Sequence, residues 1–268
     1  MNNRWTQIVT SLKDIDVPKG KGLVSASQKN AFSLDWRTLL TAMTLFAVFF
    51  ALMASVQFST PDLADNDGFY HIKFAYLMRT QGLRPHFPWL PLTILNPREF
   101  YDHHFLFHIA LIPFTFGDMV QGAKWASVLF ASLAFLSIWW LLHNQRVRYA
   151  ALWSLGLLAI SEAFLYRMSI PRVQSLSLAV LALGLNWLLA RQYTRLLPLA
   201  FLYVWLYDAF PLLLLLAALH CLAEWLIEHH LNLRPLLLAT AGTLLGLLIN
   251  PYSPYDLLFI VRHLLPKL

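Results

Sequence analysis

Between Asp65 and His108 the sequence gathers Asp65, Asp67, His71, Glu99, Asp102, His103, His104 and His108, its densest set of titratable side chains. Carboxylates and imidazoles together support two kinds of chemistry. They hold a divalent cation, with oxygen favouring Mg or Mn and imidazole favouring Mn or Zn. Alternatively, one carboxylate takes a proton as a general base. Asp102, His103, His104 and His108 crowd into one short, otherwise apolar stretch, which a merely solvated loop does not require. His104 and His108 are four apart and share a helix face. Asp102 joins them where the first turn is suitably angled. The His-x-x-x-His pair lacks the glutamate of the zinc metalloprotease motif. Asp67, Asp102, His103, His104 and His108 are therefore a candidate ligand set for Mg or Mn. Asp67 has the best single claim to chemistry, because the dipole at a helix N-terminus favours its charged form. Its plain alternative is a helix cap, a role Asp65 or Asn66 can also fill. Arg167 and Arg172 flank a later turn. Their planar forks suit oxyanions, either phospholipid headgroups or the phosphate of a specific lipid ligand.

The elements that must position these groups are membrane helices. Apolar residues make up 58% of the chain and charged residues 13%, about half the charged share of a soluble domain. That surplus of apolar surface needs a bilayer, and a spanning helix needs roughly 20 apolar residues. Residues 39–58 meet this with no charge. A polar stretch precedes them, so the segment reads as a retained anchor rather than a cleaved leader. The net charge of +6 is not a nucleic-acid signal, because Arg4, Lys13, Lys19, Lys21, Lys29 and Arg37 all precede the first span. Basic flanks mark the cytoplasmic side. The lone Cys221 excludes an intrachain disulfide.

The expected fold is all-α, a polytopic transmembrane helical bundle of about seven spans, with six as the alternative. Residues 1–38 form a cytoplasmic N-terminal segment. Residues 39–268 form the transmembrane domain, whose long first outer loop, 59–122, carries the candidate site. After the first span, 39–58, the remaining apolar segments are 124–143, 149–166, 173–190, two short helices within 196–223 turning at Asp208–Pro211, and 235–250. In the loop, Asp65-Asn66-Asp67 and Gly82 bracket a surface helix over about 67–80. Asn96-Pro97 signals a second helix over about 97–116. Residues 166–172 form a short outer turn broken by Pro171. Glu162 and Asp208 fall near outer helix ends, and the tail from Tyr255 reads as amphipathic. The tryptophans suit interfacial belts.

In this order the features resemble the membrane-embedded GT-C glycosyltransferases, most nearly the catalytic subunit of oligosaccharyltransferase. Asp67-Gly-Phe-Tyr-His71 is similar to that family's first-loop Asp-Pro-aromatic-aromatic-Asn pattern, and Thr80-Gln-Gly82 to its Asn-Gly helix end. Asp102-His103 is similar to its later Asp-His pair. Trp205-Leu-Tyr-Asp208-Ala-Phe-Pro211 and Ile249-Asn-Pro-Tyr252 resemble later outer-loop motifs. The resemblance runs in order over 39–268. It implies a sugar moving from a polyprenyl-phosphate donor to a protein or glycan acceptor on the outer face of the plasma membrane, in the cell envelope. It implies Asp67 as the essential first-loop carboxylate, either metal ligand or acceptor-activating base. Asp102 would be catalytic beside it, Tyr70, His71 and Asp208 would line the cavity, and Arg172 and Arg167 would hold the donor phosphate. A membrane protein partner fits the same reading. The chain departs from the family at residues 167–175, which lack its second-loop acids. Either His103, His104 or His108 supplies the missing ligands, or the enzyme works without metal. Residues 1–268 hold no counterpart of the family's acceptor-recognition loop or of its C-terminal Trp-Trp-Asp signature, as a truncated or compact version would. Three rivals have their own marks. An inactive lipid-binding or assembly scaffold would show no cavity around Asp67. A transporter would show internal repeats and polar midplane helices. Another histidine metalloenzyme would show converging histidines with no adjoining lipid groove.

Overall fold

The computed structural model of the protein describes residues 35–93 and 96–267. The described residues are helical, with no strand among them. Residues 1–34, which carry most of the expected cytoplasmic segment 1–38, lie outside them. By contact the chain divides into Met1–Leu40, described from Asp35 on, and Thr41–Leu268, and the packing and cavities below are those of the second unit.

Three helices are long and apolar enough to cross a membrane: α1 (Trp36–Gln57), a second at Met119–Asn144 and a third at Pro211–Glu228. At 1.5 Å per residue the first two reach about 33 and 39 Å, against a hydrocarbon core of about 30 Å. Between them come α2 (Asp67–Gln81) and α3 (Phe105–Leu111), the latter continued by a tight turn over Ile112–Thr115. The Met119–Asn144 helix is α4. Next come α5 (Ala150–Gly156), α6 (Glu162–Ser169), α7 (Gln174–Leu189) and α8 (Leu196–Leu206). The Pro211–Glu228 helix is α9, followed by α10 (Arg234–Leu248) and the short α11 (Tyr255–Phe259).

The helix α4 is the axis. Its most apolar window is 56% buried against protein, whereas those of α1 and α9 are 17% and 22% buried. The two poorly buried helices therefore present most of their apolar surface outward, as lipid-facing helices do. Within α1 one stripe at four-residue spacing, Leu45, Phe49 and Met53, turns inward. It meets Val128, Ala131 and Phe135 of α4, with the Phe49 and Phe135 rings 5.4 Å apart. The helix α8 lies against α10 so closely that a Cβ on Gly242 would stand 2.1 Å from the Leu197 carbonyl oxygen. Small residues permit this approach in membrane bundles. Trp205 Nε1 donates to the Gly246 carbonyl at 2.8 Å and fixes the pair.

Three sequence expectations are corrected. First, all seven apolar segments are helical, but only three meet the length of a span, or four if α6 and α7 count as one. The helices over Ala150–Ala159, Tyr193–Leu206 and Arg234–Leu248 are shorter. Second, 149–166 is not one helix. Ser161 takes extended backbone and its hydroxyl accepts from Phe164 N, restarting the chain as α6. The α6 and α7 axes then meet at 103° around Pro171. Third, the helix expected from residue 97 begins at Phe105. The Asn96 side chain accepts from the Arg98 and Glu99 amides, and Asp102 Oδ1 accepts from His104 N. Each side chain closes a local turn that competes with helix formation. His103 and His104 thus precede the helix that carries His108.

The expected helix at 67–80 is present as α2, and Gly82 ends it at φ +97°. It is not laid on a surface, however. Ile72 and Ala75 enter the main core with Phe107, Ala126 and Tyr203. Its start is pinned from outside: a Cβ on Gly68 would lie 2.2 Å from Pro171 Cγ. The tail folds back as well, with Phe259 buried against Tyr101 and Tyr252.

Candidate active site

Breaks in three places bring functional side chains together: the start of α2, the α6–α7 turn and the α8–α9 turn. They wall a cavity of about 400 Å³ lined by Asp67, Tyr70, His71, His103, His104, Arg172, Gln174, Tyr207 and Asp208, with Leu90 and His263 at its edge. A larger cleft, about 570 Å³, lies between residues 92–99 and the tail. Across it Glu99 pairs with Arg262 at 2.8 Å.

The acids before and at the start of α2 do not cap it. No side-chain bond is made by Asn66 at the cap position. Instead Asp65 receives both Nε and Nη2 of Arg172, the latter at 2.8 Å, and Asp67 Oδ2 lies 2.8 Å from the same Nη2. The Arg172 hydrogen bond is the main reason the Asp65 carboxyl titrates below its ordinary value. Guanidinium carries five N–H donors. Its two on Nη1 have no partner among the described residues. Arg172 is therefore held by two carboxylates and keeps one donor edge for an oxyanion. Arg167 is exposed on α6 and does not line the cavity.

Behind the cavity runs a buried chain of hydrogen bonds. Asp102 Oδ2 accepts from His108 Nδ1 at 2.7 Å, and His108 Nε2 lies 2.8 Å from His71 Nδ1. Asp102 and His108 are 1% and 0% exposed. Neither reaches the cavity, but His71 does. Since Asp102 is the acceptor, His108 carries its proton on Nδ1 and accepts on Nε2, and His71 donates through Nδ1. The lone pair of His71 Nε2 is what remains.

The other two histidines form the polar wall. His103 stacks on Phe259 at 4.9 Å, and His104 stacks on Tyr207 at 5.4 Å. The Nδ1 atoms of both, and Oε1 of Gln174, are buried without hydrogen-bond partners. Buried polar atoms are almost always satisfied, and these three leave unmet hydrogen-bonding capacity in residues that line the cavity. Burial holds His71, His103 and His104 below the usual imidazole range, and their mutual proximity adds to it. Asp208 and Asp102 oppose the effect at His103. The wall is thus uncharged at neutral pH. Burial, with Asp102 second, keeps Tyr70 protonated to high pH.

Tyr70 and Leu90 belong also to a second, almost wholly apolar groove of about 430 Å³, completed by Lys73, Phe74, Leu77, Phe87 and Trp89. The polar cavity and the apolar groove therefore adjoin at Tyr70 and Leu90.

Of the sequence candidates, Asp67, Tyr70, His71, His103, His104, Arg172 and Asp208 converge on the cavity. Asp102 and His108 stand behind it, and Arg167 stands apart. Leu90, Gln174 and His263 were not singled out by sequence. The proposed Mg or Mn ligand set does not fit this arrangement. Asp102 and His108 are engaged with each other, Asp67 with Arg172, and among the described residues no three His, Cys, Asp or Glu groups meet as a metal site. No family model matches the chain, and no curated protein or solved structure is similar to it at a significant level.

Proposed function

We propose that the protein is an integral membrane glycosyltransferase, of GT-C-like type, that moves a sugar from a polyprenyl-phosphate donor to an acceptor hydroxyl. The observation that carries this reading is the adjacency of two cavities: a polar one lined by Arg172, Gln174, Tyr207 and Asp208, and an apolar one that shares Tyr70 and Leu90 with it. Such a pair matches a ligand with a phosphate, a polyhydroxylated ring and a hydrocarbon tail. Phosphate suits the free Nη1 edge of Arg172. Sugar hydroxyls, each both donor and acceptor, suit the Gln174, Tyr207 and Asp208 side chains that line the polar cavity. The tail suits the groove lined by Phe74, Phe87 and Trp89. As the glycosidic bond to phosphate breaks, Arg172 stabilises the charge gained by the leaving oxygen. Both cavity marks named above count against the inactive scaffold and the groove-free metalloenzyme.

The outer face of the plasma membrane is the side this reading assigns. The end opposite the cavity, where Asn144 of α4 donates to Asn186 of α7, carries Arg146, Arg148, Arg191, Arg195 and Arg234 in short connections. Positive short loops stay cytoplasmic.

The test is release of polyprenyl phosphate by purified protein given a panel of polyprenyl-phosphate hexoses. Wild type is expected to release it. Arg172→Met is expected to reduce the rate at least about 100-fold, the scale of a lost transition-state donor, and Asp67→Asn to reduce it less. Donor that binds but is never cleaved would overturn the transferase reading in favour of a lipid-binding scaffold.

A further inference from the structure

We infer that His71 is the base that takes the proton of the acceptor hydroxyl, and that His108 and Asp102 are positioning residues forming a two-imidazole relay behind it. The inference rests on the transferase reading and departs from the resemblance, which gives that task to Asp67. Three observations carry it. Asp67 spends its carboxylate on Arg172 and its side chain is 58% exposed, so it is poorly placed to act as a base in a water-excluding site. Asp102 is sealed off from the cavity and spends one oxygen on His104 N and the other on His108. His71 is the single member of the chain Asp102–His108–His71 that lines the cavity.

Direction is built into this chain. Asp102 orients His108, and His108 Nε2 receives His71 Nδ1–H at 2.8 Å. That fixes the tautomer of His71 with its lone pair on Nε2, as a third group does for the base of a nucleophile–base pair. In the reaction the acceptor oxygen forms its bond to the anomeric carbon while its proton passes to His71 Nε2. The carbon–oxygen bond to phosphate breaks, and its electron pair leaves with polyprenyl phosphate. The charge gained by His71 is shared by shifting its Nδ1 proton to His108 Nε2, where the imidazolium lies against the Asp102 carboxylate. The reverse shift returns that proton to His71 Nδ1, and the proton on Nε2 then passes to water or to the departed phosphate. Two rings place the stabilising carboxylate out of reach of the substrate, so it cannot attack the anomeric carbon itself.

The experiment compares wild type, His71→Gln and Asp102→Asn in detergent, with polyprenyl-phosphate hexoses as donors. Octyl glucoside serves as the hydroxyl acceptor and azide as a nucleophile that brings no proton. With octyl glucoside both variants are expected to lose about 100-fold or more in kcat, the usual worth of a general base, with KM for the donor unchanged. Azide should restore release in both variants and yield the glycosyl azide. Loss of rate without azide rescue would make the effect structural, and an unchanged rate in His71→Gln would remove His71 from the chemistry. Absence of wild-type release from every donor is the failure of the transferase reading, and a second measurement judges the relay apart from it. Diethyl pyrocarbonate should modify His71 at Nε2, read by mass spectrometry, and Asp102→Asn should slow that modification several-fold. An unmodified His71, or one modified equally fast in the variant, would overturn the relay.

Discussion

Removing Arg172 together with its acid partners separates a structural clamp from a chance surface pair. Arg172 binds Asp65 through two nitrogens, and these side chains are 27% and 13% exposed. Asp67 shares one nitrogen and is 58% exposed. Two charge-assisted bonds in a mostly covered site should couple Arg172 and Asp65 by about 2 kcal/mol. The exposed Asp67 contact should couple by less than about 1 kcal/mol. The assay is a double-mutant cycle on denaturant unfolding in a fixed detergent, with Arg172→Met, Asp65→Asn, Asp67→Asn and the two doubles. Arg172→Met alone should be worse than Arg172→Met with Asp65→Asn, because the single variant leaves a covered carboxylate without its cation. Coupling at Asp65 below about 0.5 kcal/mol, or no greater than at Asp67, would refute the view that this pair ties the start of α2 to the α6–α7 turn.

Two further outcomes follow from the same end of the molecule. His71, His103 and His104 have folded pKa values depressed mainly by burial, so below their unfolded value of about 6.5 the unfolded chain binds protons that the fold refuses. Stability is full above that pH and falls as pH drops through it, by up to about 1.4 kcal/mol per pH unit for each histidine. Unfolding midpoints measured from pH 8 to 5 should show this, with a shallower slope in His104→Gln; a flat profile would contradict neutral burial. Gly68→Ala places a Cβ 2.2 Å from Pro171 Cγ and Gly242→Ala one 2.1 Å from the Leu197 carbonyl. Both should destabilise, by about 1–3 kcal/mol, Gly242→Ala more because backbone cannot swing aside. Pro171→Ala should recover most of the Gly68→Ala loss in thermal unfolding.

What could be read from sequence follows physical range. Apolar runs are local, so every expected membrane segment holds helix, though 149–166 is broken at Ser161, and the turn at Asp208–Pro211 is where the chain gave its signal: a charge and a proline in an over-long apolar run. The extent of α2 was legible from Asp67 and Gly82 for the same reason. The failure at 97–116 was also local but ambiguous, since Asn-Pro opens helices and turns alike, and Asp102 closing on His104 N decided for a turn. Residue type alone marked Asp102 and His108 as ligands. Only the fold shows that they face each other, because nothing at spacing six announces a contact across a non-helical entry to a helix. The Asp65–Arg172 clamp spans 107 residues and left no periodic trace. Asp65 was visible as an acid, but its partner was not.

The position of the cavity has its own physical cause. In a bilayer every backbone N–H and C=O must find a partner, and irregular backbone survives only inside protein or along a cavity. Here α7 begins, α8 ends and α9 begins at one end of the bundle, and the breaks between them supply Arg172, Gln174, Tyr207 and Asp208. The helices α8 and α10 are shorter than a full span. Side chains at the breaks are then anchored on rigid helices yet surrounded by apolar packing. That setting explains why three histidines are held neutral and why a buried carboxylate must act through imidazoles to be felt at the surface of the chamber. Lengthening α8 to a full turn past Leu206 would move Tyr207 off His104 and carry Asp208 away from the cavity, so the helix breaks are as much a part of the site as its titratable groups.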